Sequence, residues 1–196
     1  MKVEEKVTGM LLNDGIISLE ELEVVKYGLE NLRSNILGMF VTLIIGFCFD
    51  FLWGSFLLWL LIFPLRKNAG GFHAKTKCRC LFFSSTMLLL SIICFVQISW
   101  SLTGYILITA LFFAVIFLMA PVENGNKHLD QDEHQIYRKR ARVILVSEGV
   151  LFLVAVTVYW KELVVVITID FFVVGVSLVT GRIKLWKQKQ RKMNTA

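Results

Sequence analysis

Proline, histidine and charge are all scarce in this chain. Of 196 residues, two are Pro, three are His and 18% are charged. So few breakers and charges exclude a disordered or loop-rich protein, which needs solvated polar backbone to stay open. The four cysteines, Cys48, Cys78, Cys80 and Cys94, do not read as a disulfide framework, because two of them stand inside apolar blocks. A reducing, cytosol-facing side suits the polar thiols. A secretory signal peptide is not expected either: residues 1–34 are charged throughout, and the first long apolar block begins near Ile36. Hydrocarbon is what the chain has in excess. It is 56% hydrophobic with a mean hydropathy of +0.67, above the soluble range, and its length suits one helical bundle.

Against a span of about 20 residues, the apolar stretches fall at 35–49, 51–65, 80–100, 104–120, 143–160 and 163–181. The connections between them are charged unevenly. Lys and Arg number four in 1–34, five in 66–79, five in 121–142 and six in 182–196. The alternate connections, around Asp50, 101–103 and 161–162, hold only Lys161. Twenty of twenty-one basic residues thus fall on one side of a six-span alternation, which the positive-inside rule makes cytoplasmic. A four-span arrangement, with a block re-entrant or interfacial, fits this partition less simply. The expectation is an all-α polytopic membrane protein of about six transmembrane helices with both termini cytoplasmic. It has an amphipathic interfacial helical segment at 1–34, a transmembrane domain at 35–181 and a basic tail at 182–196.

Within 1–34, Asn13-Asp14-Gly15 signals a turn and Ser18-Leu19-Glu20-Glu21 has the spacing of a capping box. Leu22, Val25, Leu29 and Leu32 then recur at helical spacing, the pattern of a helix lying on the inner leaflet or docking an amphipathic partner. In the polar segment 121–142, Pro121 should end the preceding helix, and Arg138, Lys139, Arg140 and Arg142 stand at the mouth of the next span. Anionic lipid is the plain partner for that cluster and for the tail. Three acids fall within or at the ends of spans. Asp50 belongs in an outer turn, Glu148 near a cytoplasmic end, and Asp170 deepest, where it needs a partner or a water-filled crevice.

The stretch RKNAGGFHAKTKCRC, residues 66–80, carries the chemistry. His73 and Cys80 are seven residues apart, which on a continuous helix leaves them about 10 Å apart along the axis. A direct thiol–imidazole contact therefore requires a bent connection, and Gly70-Gly71 supplies the freedom for one. The same glycines can offer backbone N–H groups to an oxyanion. Cationic neighbours, Lys77 and Arg79, and a helix start favour a thiolate at Cys80, with His73 as base and then acid. Spacing alone does not choose between Cys80 and Cys78. His73, Cys78 and Cys80 are also three soft ligands, so a metal-binding membrane sensor or transporter is an alternative, with His128 or His134 as a fourth donor. Cys48 and Cys94 read as core residues.

Arg66, Gly70-Gly71-Phe72-His73-Ala74-Lys75-Thr76 and Cys80 together resemble the signature of the accessory gene regulator B (AgrB) family. Ala120-Pro121-Val122 and Asn126-Lys127 resemble that family's second cytoplasmic loop, although His128 stands where the family commonly has proline. The resemblance implies a cysteine endopeptidase in the bacterial cell membrane, without cofactor or metal, whose catalytic pair at the cytoplasmic face is His73 and Cys80. Its implied substrate is an AgrD-like amphipathic propeptide with an acidic C-terminal tail, processed through an acyl-enzyme thioester and closed to a thiolactone or lactone. Arg66, Lys67, Lys75, Lys77 and Arg79 make an electrostatic landing for such a tail. A homodimer in the lipid bilayer is implied too, and no nucleic acid.

Overall fold

The computed structural model describes residues 3–72, 77–98, 100–122 and 130–194, and all regular structure among them is helical. The helices are α1 (Val3–Asn13), α2 (Leu22–Cys48), α3 (Leu52–Ala69), α4 (Lys77–Ile92), α5 (Leu102–Met119), α6 (Gln131–Thr157) and α7 (Lys161–Asn194), with a π-helical turn, Ile93–Gln97, continuing α4. Contacts divide the chain into two compact units, Met1–Val41 and Thr42–Ala196.

In the first unit, Gly15 takes a φ of 68° at the expected turn after α1. The Ser18 N–H and hydroxyl both donate to the Glu21 carboxylate at 3.0 Å, which is one arm of the capping box. These bonds, the backbone one foremost, hold the Glu21 carboxyl below its usual range. Val24, Tyr27 and Leu32 leave large apolar side chains exposed along α2, while Leu22, Val25 and Leu29 are half-buried.

The second unit is organised around α7. Its stretch Val164–Phe171 is apolar except for Thr168 and Asp170, and a helix apolar round so much of its circumference must be covered on nearly every side. All of these residues are buried, and α7 packs against α3, α4, α5 and α6. Phe172 meets the rings of Phe95 and Phe112 edge-on at 5.3 and 5.1 Å. Gly175 leaves room for the Phe112 ring. The buried hydroxyls of Thr109 and Thr168 pair at 2.9 Å across α5 and α7. The other helices bury their inner faces against α7 and present Leu107, Leu111, Val150 and Leu153 outward. That outward hydrocarbon is stable only against lipid.

Among the described residues, four helical stretches are long and apolar enough to cross a membrane: Leu22–Cys48, Arg79–Gln97, Leu102–Met119 and Lys161–Gln188. The remaining two expected spans, 51–65 and 143–160, lie in α3 and α6. α3 has the length of α5 but carries Pro64, Arg66 and Lys67, and α6 carries Arg140, Arg142 and Glu148 beside its apolar part. Asp50 does sit in the turn between α2 and α3, exposed and at a φ of 52°. In the π turn, the Trp100 Nε1–H and the Tyr105 hydroxyl each donate at 2.8 Å, to the Cys94 and Phe95 carbonyls respectively. Backbone groups at membrane depth need such internal partners.

Cys48 departs from expectation. It is exposed on the last turn of α2 and not in the core, whereas Cys94 is half-buried against the core. In a lipid-facing bundle an apolar thiol gains as much outside as inside, so composition does not assign it a side.

Two outcomes follow. Gly175→Val pushes methyls into the Phe112 ring, and overpacking of this kind should lower stability by about 1–3 kcal/mol in thermal unfolding of the detergent-solubilised protein. Because the folded Glu21 carboxyl titrates below the ordinary glutamate value of 4.5, the Ser18 contact should persist above that pH and be lost as pH falls through the lower, folded value. The Ser18 amide proton shift reads this by NMR, and an inflection at or above 4.5 contradicts it.

Candidate active site

α3 ends at Ala69, where two glycines turn the chain away. Gly70 and Gly71 take φ values of 76° and 121°, a region that side-chain-bearing residues rarely adopt. Neither has room for a Cβ. At Gly70 it would strike the Val122 carbonyl oxygen; at Gly71 it would lie 2.7 Å from Ser177 Oγ and 3.2 Å from that residue's carbonyl carbon. The reverse holds at Gly181, whose Cβ would fall 2.8 Å from the Gly71 carbonyl carbon and 2.9 Å from the Phe72 nitrogen.

Residues 70–72 therefore form a strap clamped from two sides. On one side the Val122 N–H donates to the Ala69 carbonyl at 2.9 Å, and Gly70 and Val122 form an isolated parallel bridge just after the cis Ala120–Pro121 peptide. On the other the Phe72 N–H donates to the Ser177 carbonyl at 2.9 Å and reaches its Oγ at 3.2 Å. The Gly70 N–H closes α3 by donating to the Arg66 carbonyl at 3.0 Å. The Phe72 ring lies 4.8 Å from that of Phe83 on α4, and Lys184 Nζ stands over the same Phe72 ring, 5.0 Å from its centroid.

Phe83 is three residues beyond Cys80, on the same side of α4. The strap is thus tied to the helical face that carries Cys80, a half-buried cysteine outside any disulfide, one turn into α4. Arg66, in the last turn of α3, is half-buried, burial pulls its guanidinium below the usual arginine range, and Cys80 lies within electrostatic reach of it. Lys67 and Arg79 are exposed. His73 and Lys75 lie outside the described residues, as do the side chains of Lys77 and Cys78, and His128. His134 is half-buried on α6. Among the described residues, no group of three or more His, Cys, Asp or Glu is placed to hold a metal.

Ser177, Gly181 and Lys184, spaced by four and three along α7, had no place in the sequence-based site. Their signal was present: Ser and Gly four apart are the small-residue pair that lets backbones approach closely between membrane helices. Beyond them, Thr180, Ile183, Lys184, Lys187, Gln188 and Arg191 line a shallow groove of about 370 Å³ on α7.

The family model for accessory gene regulator B matches residues 4–180. The chain belongs to the accessory gene regulator B family. No curated protein and no solved structure matches it. The matched region takes in the strap, Cys80 and the seat at Ser177, and it stops short of the basic end of α7. The family is known for peptide processing in quorum sensing, and with four membrane-competent helices the chain is a membrane protein.

Gly71→Ala should displace the strap, since the new methyl meets Ser177 at a disallowed φ. Ser177→Ala should cost only about 0.5–1.5 kcal/mol, because the Ser177 carbonyl still accepts the Phe72 amide. Hydrogen exchange at the Phe72 amide measures both: strong loss of protection in the first, slight loss in the second.

Proposed function

We propose that this chain is a membrane-embedded cysteine endopeptidase that cleaves the C-terminal region of a small quorum-sensing propeptide at the inner leaflet. The supporting observation is the clamped strap. It breaks the helix before His73, and through Phe72 and Phe83 it ties the residue preceding His73 to the face of α4 that bears Cys80. A bend here favours the non-helical connection that a seven-residue spacing requires if imidazole and thiol are to meet; residues 73–76 themselves lie outside the described residues.

In the mechanism, His73 takes the Cys80 proton and the sulfur attacks the scissile carbonyl, with Gly71 in the turn beside the developing oxyanion. The C–N bond breaks, His73 gives its proton to the leaving amine, and the retained peptide stays on Cys80 as a thioester. A cysteine or serine of that peptide then gives its proton to His73 and attacks the thioester carbonyl, breaking the bond to Cys80, releasing its thiolate and closing a thiolactone or lactone. Water would discard the acyl activation, so burial of the thiol against the bundle serves the cyclisation.

Arg66, desolvated and within electrostatic reach of Cys80, is suited to holding negative charge at the thiol or at the bound peptide beside it. Exposed Lys67 and Arg79, with Lys75 and Lys77, suit the acidic tail of an AgrD-like propeptide. We read six spans with both termini cytoplasmic. α6 supports this, since from Val143 to Val158 it shows an apolar outer face of about 24 Å. The working form is a homodimer in the bilayer of the bacterial cell.

With purified propeptide and full-length enzyme, Cys80→Ala should abolish cleavage. His73→Ala should lower kcat by about 10²–10⁴-fold, the usual worth of a positioned acid–base. Cys78→Ala should stay near wild type. Wild-type rates in either of the first two variants overturn the assignment, and loss in Cys78→Ala alone moves the nucleophile to that sulfur.

A further inference from the structure

Glu148 on α6 and Asp170 on α7 are left unused by the peptidase chemistry. They are 3% and 0% exposed, on helices packed directly together, and the two carboxyls lie within hydrogen-bonding reach of one another. Among the described residues, no N–H or hydroxyl donor of another residue reaches Glu148 Oε2 or either Asp170 carboxyl oxygen.

Nothing cationic answers them among the described residues. Arg142 on α6 lies six positions before Glu148, with its guanidinium carbon 4.3 Å over the Phe117 ring of α5. The surroundings are apolar: Phe171 is fully buried, its ring 6.1 Å from that of Phe113 on α5, and Phe113 also covers Gly149 beside Glu148. The hydroxyl of Thr168, two residues before Asp170, is engaged with Thr109 and the Val164 carbonyl.

Two ionised carboxylates are acceptors only, so neither can satisfy the other. One proton changes this. The protonated acid becomes a donor, the anion accepts, and the result is a charge-assisted O–H···O bond, the strong kind. A metal cation is a poorer fit, because hard cations gather about six or more oxygens and, among the described residues, no third His, Cys, Asp or Glu joins these two.

We propose that Glu148 and Asp170 form a proton-binding site inside the membrane, holding one proton between their carboxyl oxygens and bonding α6 to α7. Asp170 lies seven residues before Ser177, two turns or about 10 Å along α7. The bond therefore braces the helix that seats the strap, and it stands whether or not the peptidase reading does.

Infrared spectroscopy of the full-length protein in lipid nanodiscs tests this at neutral pH, where exposed carboxyls are ionised. The wild type should show a protonated-carboxyl C=O band that shifts in D2O and persists when sodium replaces potassium. The band should vanish in the Glu148→Gln, Asp170→Asn double variant. Absence of the band in wild type, its survival in the double variant, or its removal by sodium overturns the proposal. If the double variant does not fold, the wild-type band, its D2O shift and its sodium response still decide.

Discussion

The hydrogen bond from the Phe72 amide to the Ser177 carbonyl is the contact on which the site's geometry depends. A chain leaving α3 has to turn sharply, shed its helical hydrogen bonds and still bury its backbone polar groups. Positive-φ glycines make the turn, Ser177 and Val122 supply the partners, and Gly181 lets the strap lie directly on α7. Each element is needed by the next: without the glycines the chain cannot approach, and without the approach the amides stay unsatisfied at a cost of about 1–3 kcal/mol each.

That strap is only as well placed as α7, and α7 is held by packing, since lipid gives no hydrophobic drive between helices. Its aromatic contacts, the Thr109–Thr168 pair and the Gly175–Phe112 fit are the short-range forces left. The same reasoning explains why the outer surface is apolar and why the Cys94 and Phe95 carbonyls of the π turn are capped by Trp and Tyr side chains.

Much of this was legible in the sequence. Asn13-Asp14-Gly15, the Ser18–Glu21 spacing, the turn at Asp50 and the stop at Pro121 are local signals, and each appears where its chemistry requires. The Gly70-Gly71 turn was legible too, and the family with it. Hydropathy misplaced the ends of helices. Residues 131–142 are rich in charged and polar helix formers and continue into α6, and α7 likewise runs on to Asn194, because helical hydrogen bonding does not stop at the lipid boundary. The facing of Glu148 and Asp170 and the seating of Phe72 on Ser177 join residues 22 and 105 positions apart, and no local periodicity reports such pairings.

The central claim, that Cys80 takes the acyl group, is tested most directly by mass spectrometry of full-length enzyme quenched in acid during turnover of its propeptide. Tryptic cleavage after Arg79 separates the two neighbouring thiols. The account predicts the mass of the retained peptide, as a hydroxylamine-labile thioester, on the fragment beginning at Cys80. The same mass on the fragment bearing Cys78, or cleaved propeptide with no enzyme adduct at any time point, would contradict it.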